Sequence, residues 1–338
     1  MKTTRRVRIT ALVALAAAVV GVVEAHGSAA RWAAHSSVGT VVATIPIPAD
    51  SGALAVGVGA VWATSDAGTA PILTRIDPVT NTVVARVPIP LKNLCTDLPG
   101  SCGEAATGNG ALWIARVFDD TVLRIDPGNN SLAATIRVGS QPEGIATTPG
   151  AVWVVNKRGP SVSRIDPATN TVVATIRIGP ALACCSDHMS LAVGGGAVWV
   201  SLPSTNTIVR INPGTNRVVA RVHLSQTPCA FLAAGARTVW AARGSCGGSV
   251  VRVNGRTNRA AGTVKGMAAP IGVAVGFGSV WVADVGASQI VRINPSTNRI
   301  LGRLQLSGQP VRLAVGFGSL WVRDDSGQVL RIKPATAG

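Results

Sequence analysis

Few residues in this chain can do acid–base chemistry. Its 338 residues include four histidines, and its glutamates are Glu24, Glu104 and Glu143. Glu24 and His26 fall at the end of an apolar N-terminal stretch, His35 lies just beyond it, and His223 sits inside an alternating run that reads as a strand. That leaves His188. No Ser-His-Asp or paired-carboxylate pattern assembles from spacing alone, so no catalytic residue is assigned.

A more informative set follows seven tryptophans. The third residue after each reads Ser65, Arg116, Asn156, Leu202, Arg243, Asp284 and Asp324, and near them stand Asp119, Asp120, Glu143, Lys157, Arg158, His188, Arg312 and Asp325. A repeat interrupted by different polar groups around one opening is what a ligand site requires. The candidate ligand-binding residues are therefore Arg116, Glu143, Asn156, Lys157, Arg158, His188, Arg243, Asp284, Arg312 and Asp324. A solvated rim would have the same composition, and is the alternative.

The six cysteines, Cys95, Cys102, Cys184, Cys185, Cys229 and Cys246, offer two chemistries. Cys102, His188 and Cys229 each lie eleven residues before a repeat tryptophan, so a metal site using His188, Asp187 and thiolates is conceivable. Without a zinc-type CxxC pair, loop-stapling disulfides are the expectation, for instance Cys95–Cys102 and Cys229–Cys246. No metal and no cofactor is expected. Glycine turns such as Gly57-Val58-Gly59 do not open a helix and are not a dinucleotide fingerprint.

The elements that must position these residues repeat with a period near 40. Trp62, Trp113, Trp153, Trp199, Trp240, Trp281 and Trp321 are spaced by 51, 40, 46, 41, 41 and 40 residues. A second marker keeps time with them, from Arg75-Ile76-Asp77-Pro78 to Arg331-Ile332-Lys333-Pro334. Each unit reads as strand, glycine turn, tryptophan strand, a third strand ending in an Asx-Pro turn, and a fourth strand. Four short strands at this period predict a β-propeller blade, and seven markers predict seven blades in an all-β fold. The tryptophans recur on the second strand, which suits packing between blades better than exposed stacking platforms. The marker arginines read as a solvated or turn-bonded rim.

The last unit stops after its third strand. Its missing partner is Gly39–Pro48, which nearly duplicates the fourth strand at Thr171–Ile176, so the ends are expected to close the ring in one blade. This order puts the short, similar turns on one face. The variable loops, all six cysteines and the candidate site residues then share the other.

Residues 1–30 read as an export signal, with Lys2, Arg5, Arg6 and Arg8 before the apolar run Ile9–Val23. Residues 31–38 form a leader and 39–338 the propeller, located in the periplasm or outside the cell. The net charge is +16, and removing four bases and one acid with the signal leaves 27 minus 14, or +13. Such a balance favours acidic partners. With no Tyr and four Phe, however, base-stacking platforms are scarce, so nucleic acid is the less favoured partner. Membrane contact is expected only through an uncleaved signal, and the propeller is expected to be a monomer.

The units Ala274–Asp284 with Arg292–Ile300, and Gly150–Asn156 with Ser163–Ile176, resemble the bacterial YVTN/YncE-type propeller repeat. They also resemble the repeats of streptogramin (virginiamycin B) lyase, and the likeness covers about residues 39–336. The first resemblance implies an exported protein associated with binding, including of single-stranded DNA. The second implies a magnesium-assisted elimination that opens a cyclic depsipeptide, using a histidine and glutamates near the central channel. His188 and Glu143 are the mouth-placed residues of those types, and neither lies in a matching motif. The expectation is thus a binding scaffold whose protein, small-molecule or anionic ligand docks on the variable face without catalysis. A lyase or lactone-hydrolysing enzyme is the first alternative, and nucleic-acid or anionic-polymer binding the second.

Overall fold

The computed structural model describes residues 38–49, 52–66, 71–89, 103–180 and 188–336. They form seven four-stranded antiparallel sheets, arranged as the blades of a β-propeller. Blade 1 is representative: Leu54–Gly57, Ala60–Asp66, Pro71–Asp77 and Thr82–Pro88 follow one another from the inside outwards. The blade containing Trp321 has the composite build expected of it. Gly39–Pro46 pairs with Gln328–Pro334, beside Ser319–Asp324 and Pro310–Gly316. Ile47 N donates to Gly327 O, and Ala335 N to Val38 O, extending the seam beyond both ends of the strand pair. This pairing gives the last blade the same four strands as the others and closes the ring.

Each of the seven repeat tryptophans is at most 2% exposed, because the indole is the wedge between neighbouring blades. Trp62 packs with Leu112, Ile114, Leu123 and Ile125 of blade 2. Trp281 packs with Leu320, Val322, Leu330 and Ile332 of blade 7, and Trp321 with Val61, Ala63 and Ile76 of blade 1. The core is therefore a ring of inter-blade layers, and no blade buries its apolar face alone.

The marker arginines lock those layers. Arg75 stacks on Trp62, with its guanidinium carbon 5.1 Å from the ring centroid, and donates to Pro127 O and Asn130 Oδ1 of blade 2, both at 2.8 Å. Arg124 does the same with Trp113, Pro167 and Asn170. Arg331 completes the circle on Pro78 O and Asn81 Oδ1. The turn asparagines that accept these bonds sit at positive φ, for example 59° at Asn81 and Asn130, a conformation asparagine tolerates better than most residues. The arginines are thus bonded to the next blade, six of them to its turn asparagine and Arg292 to Ala335 O. Residues 1–37, the long insertions, Asp187, and Cys95, Cys102, Cys184 and Cys185 lie outside the described residues.

Candidate functional site

Seven innermost strands converge on the ring axis. The residue nine places before each tryptophan, at or just ahead of its blade's inner strand, is in chain order Ala53, Glu104, Gly144, Ser190, Phe231, Gly272 and Arg312. Three of the seven are small. The other four, with Ala53 and Gly272, line a cavity of about 140 Å³ at the mouth. The site is asymmetric on a nearly symmetric scaffold.

His188 reaches across this mouth from blade 4. Its Nε2 is 3.0 Å from Glu104 Oε1 in blade 2, and its Nδ1 is 3.7 Å from Glu143 Oε2 in blade 3. Gly144 of blade 3 lets this blade pack closely against blade 4, because a Cβ there would come within 2.8 Å of Leu191 N. Glu143 is 5% exposed and fully engaged: Oε1 accepts from Lys157 Nζ at 2.9 Å, and Oε2 from Met189 N at 2.7 Å. Glu104 Oε1 also accepts from Ser190 Oγ at 3.3 Å, and Ser190 Oγ accepts from Leu232 N at 3.1 Å. A buried charge with such partners costs far less than an isolated one.

On the other half of the mouth Arg312 of blade 7 reaches past blade 6 to stack on Phe231 of blade 5, 4.0 Å from the ring centroid. Phe231 in turn tilts against His188, with centroids 4.5 Å apart. Burial pulls the Arg312 guanidinium down to about 10, an effect the nearby Glu104 carboxylate opposes. One anion, one cation, a hydroxyl, an imidazole and an aromatic face meet in one small opening.

Of the ten candidates from sequence, Glu143, Lys157, His188 and Arg312 meet here. The residues after the tryptophans do not, for their side chains are turned into the blades. Asp284 is fully buried and caps its own loop, accepting from Ala268 N, Ala269 N and Gln289 Nε2. Asp324 accepts from Ser326 Oγ and Gln328 N, and burial raises its carboxyl above the ordinary value. Arg243 donates to Thr227 O, Ser249 Oγ and Cys246 O, fastening the loop that the Cys229–Cys246 disulfide closes. Arg116 pairs with Asp119, and Asn156 donates to Ser161 and Ser163. Burial lowers the pKa of both Arg116 and Arg243. Arg158 is exposed on its loop.

Glu104, Ser190 and Phe231 are site residues that spacing from the tryptophan could have found. They break a small-residue position two places beyond the one occupied by Cys102, His188 and Cys229. The magnesium implied by the lyase resemblance does not fit these residues. Glu143 is committed through both oxygens to Lys157 and Met189, which leaves only the second oxygen of Glu104, beyond the one that His188 and Ser190 share, and no pair of carboxylates for a magnesium ion. Among the described residues no three His, Cys, Asp or Glu side chains are grouped as metal ligands.

Fold and site together define a seven-bladed β-propeller with one asymmetric polar mouth. The chain matches no protein-family model and no curated protein sequence. Among solved structures it is similar to virginiamycin B lyase from Staphylococcus aureus, at 15% identity and a TM-score of 0.68, covering 87% of this chain and 99% of that one. It is likewise similar to hydrazine synthase of Kuenenia stuttgartiensis, at 13% identity and a TM-score of 0.69, with 86% and 97% covered. The Pan2 WD40 domain of Neurospora crassa aligns at 12% identity and a TM-score of 0.66, with 89% and 97% covered. These likenesses show the fold. The streptogramin-lyase resemblance holds at that level, whereas no family model matches to support the YVTN/YncE one. The disulfide, and the lack among the described residues of a helix able to cross a membrane, are compatible with export.

Proposed function

We propose that the propeller binds a small polar ligand in its central mouth, through Glu104, His188, Ser190, Phe231 and Arg312, with Glu143 and Lys157 holding His188 in place. One observation carries this reading: a single repeat position, small in three blades, bears Glu104, Ser190, Phe231 and Arg312 in the other four. The scaffold is served by Gly or Ala at this position in the three other blades. Glu104 suits a donor on the ligand, Arg312 an anionic or carbonyl oxygen, and Phe231 an apolar edge between them. The ligand class is therefore a compact molecule with both polarities, such as an amino acid or a short peptide end. Screening such compounds by thermal shift tests this. A hit should raise the melting temperature of the wild type and leave Glu104→Gln and Arg312→Met unshifted; equal shifts in all three would refute the assignment.

A second reading is acid–base chemistry on a cyclic depsipeptide or lactone. It is favoured by His188, whose ring nitrogens face Glu104 and Glu143. A histidine oriented by a carboxylate can take a proton while the second carboxylate stabilises the resulting cation. Incubation with a cyclic depsipeptide, read by mass spectrometry, decides it. Ring opening that disappears in His188→Ala supports it, and an unchanged substrate removes it.

A further inference from the structure

Blade 5 breaks the repeat on the face opposite the mouth. Three residues before the tryptophan, the other six blades carry a turn glycine: Gly59, Gly110, Gly150, Gly196, Gly278 and Gly318, all with φ between 66° and 79°. Blade 5 has Arg237 there, and its turn is rebuilt around a Gly235 N to Thr238 O bond. The marker turn of the same blade departs as well. Gly255 replaces the proline, and Arg256 occupies the place of Val79, Gly128, Ala168, Gly214 and Ser296. Each change abandons a residue that suits the turn in favour of space or positive charge.

Both arginines line one groove of about 250 Å³, walled on the blade 4 side by Gly194, Gly195 and Arg210. Arg210 is held there by its stack on Trp199, at 5.3 Å, and by Asn258 Oδ1. Nothing acidic neutralises this sector: residues 188–283 contain nine Lys and Arg and no Asp or Glu. The turn chemistry shows that this is a choice of charge. Asp77, Asp126 and Asp166 each accept a backbone N–H two residues on, at 2.7 to 2.8 Å. Asn212, Asn254 and Asn294 accept the same bond at 2.8 to 2.9 Å. The fold is served equally by either side chain, yet blades 4 to 6 use the uncharged one.

We propose that this groove is an oxyanion site, in which Arg210, Arg237 and Arg256 take a phosphate-class group. Guanidinium groups suit such a group through forked, charge-assisted bonds, and the glycine walls let the ligand approach the backbone. The site is independent of the mouth.

Titration of the whole protein with inorganic pyrophosphate, and separately with polyphosphate, tests it by calorimetry at low salt. Restoring the residues other blades carry, Arg237→Gly with Arg256→Ser, should weaken binding at least about tenfold without shifting the melt. Should Arg237→Gly disturb the melt, Arg256→Ser alone carries the test. Tighter binding of pyrophosphate identifies a free small ligand, and tighter binding of polyphosphate a polymer, either within the proposal. No binding of either probe, unchanged affinity in the restored variant, or a loss that follows Arg312→Met instead would overturn it.

Discussion

His188 Nε2 stands 3.0 Å from Glu104 Oε1, although 84 positions separate the two residues and a whole blade lies between them. Gly144, on the intervening blade, packs directly against Leu191, three residues on from His188 on the same blade. Gly144→Ala should therefore act on the mouth and on stability together. Its methyl would come within 2.8 Å of a backbone nitrogen that cannot easily move, a cost of about 1–3 kcal/mol by overpacking. Chemical denaturation measures the loss, and ligand binding should weaken in the same variant.

Arg312 sets stability against function. Its folded value of about 10 lies below the ordinary arginine range, so the folded state binds this proton less tightly than the unfolded one. The cost is therefore full at neutral pH and is relieved only as pH rises through 10. Arg312→Met should raise stability at pH 7 by up to roughly 3 kcal/mol while weakening ligand capture. A variant that loses binding with an unchanged or lower melting temperature would contradict this account.

Asp324 shifts in the opposite sense for an acid. With its folded pKa raised by burial, the ionised form is disfavoured in the fold, and stability lost at neutral pH returns as pH falls through that raised value. Asp324→Asn keeps an acceptor for Gln328 N and removes the charge. Its melting temperature should exceed that of the wild type at pH 7, and the gap should close as pH approaches 4.

The Arg331–Asn81 bond joins the last blade to the first. Removing the guanidinium leaves Pro78 O and Asn81 Oδ1 without this donor and uncovers Trp321. Arg331→Met should cost about 1.5–3 kcal/mol, the value of a hydrogen bond to a charged group. Because it weakens ring closure, hydrogen exchange should rise first in Gly39–Pro46.

Cys229 and Cys246 close a 17-residue separation beneath Phe231 and Arg243. Reduction, or Cys246→Ser, should lower stability by roughly 3 kcal/mol through loop entropy. The same change loosens the loop that Arg243 fastens, so protease nicking within residues 243–249 should report it.

The sequence determined the architecture by itself because each blade is a local object. Its turns are written by adjacent residues, such as Gly57 to Gly59 and Asp77 to Asn81, and alternation sets which face is buried. The count of seven, the inter-blade tryptophans and the closing role of Gly39–Pro46 follow from that pattern. The mouth was only half legible. Glu143, Lys157, His188 and Arg312 were visible as polar residues near one opening, but spacing cannot measure a distance across a ring. Glu104 met His188 only when five other inner strands fixed the geometry of the ring. Asp284 and Arg243 went the other way, because strand pairing turned them inward onto their own loops. Local chemistry chose the blades, and closure of the circle chose which side chains face one another.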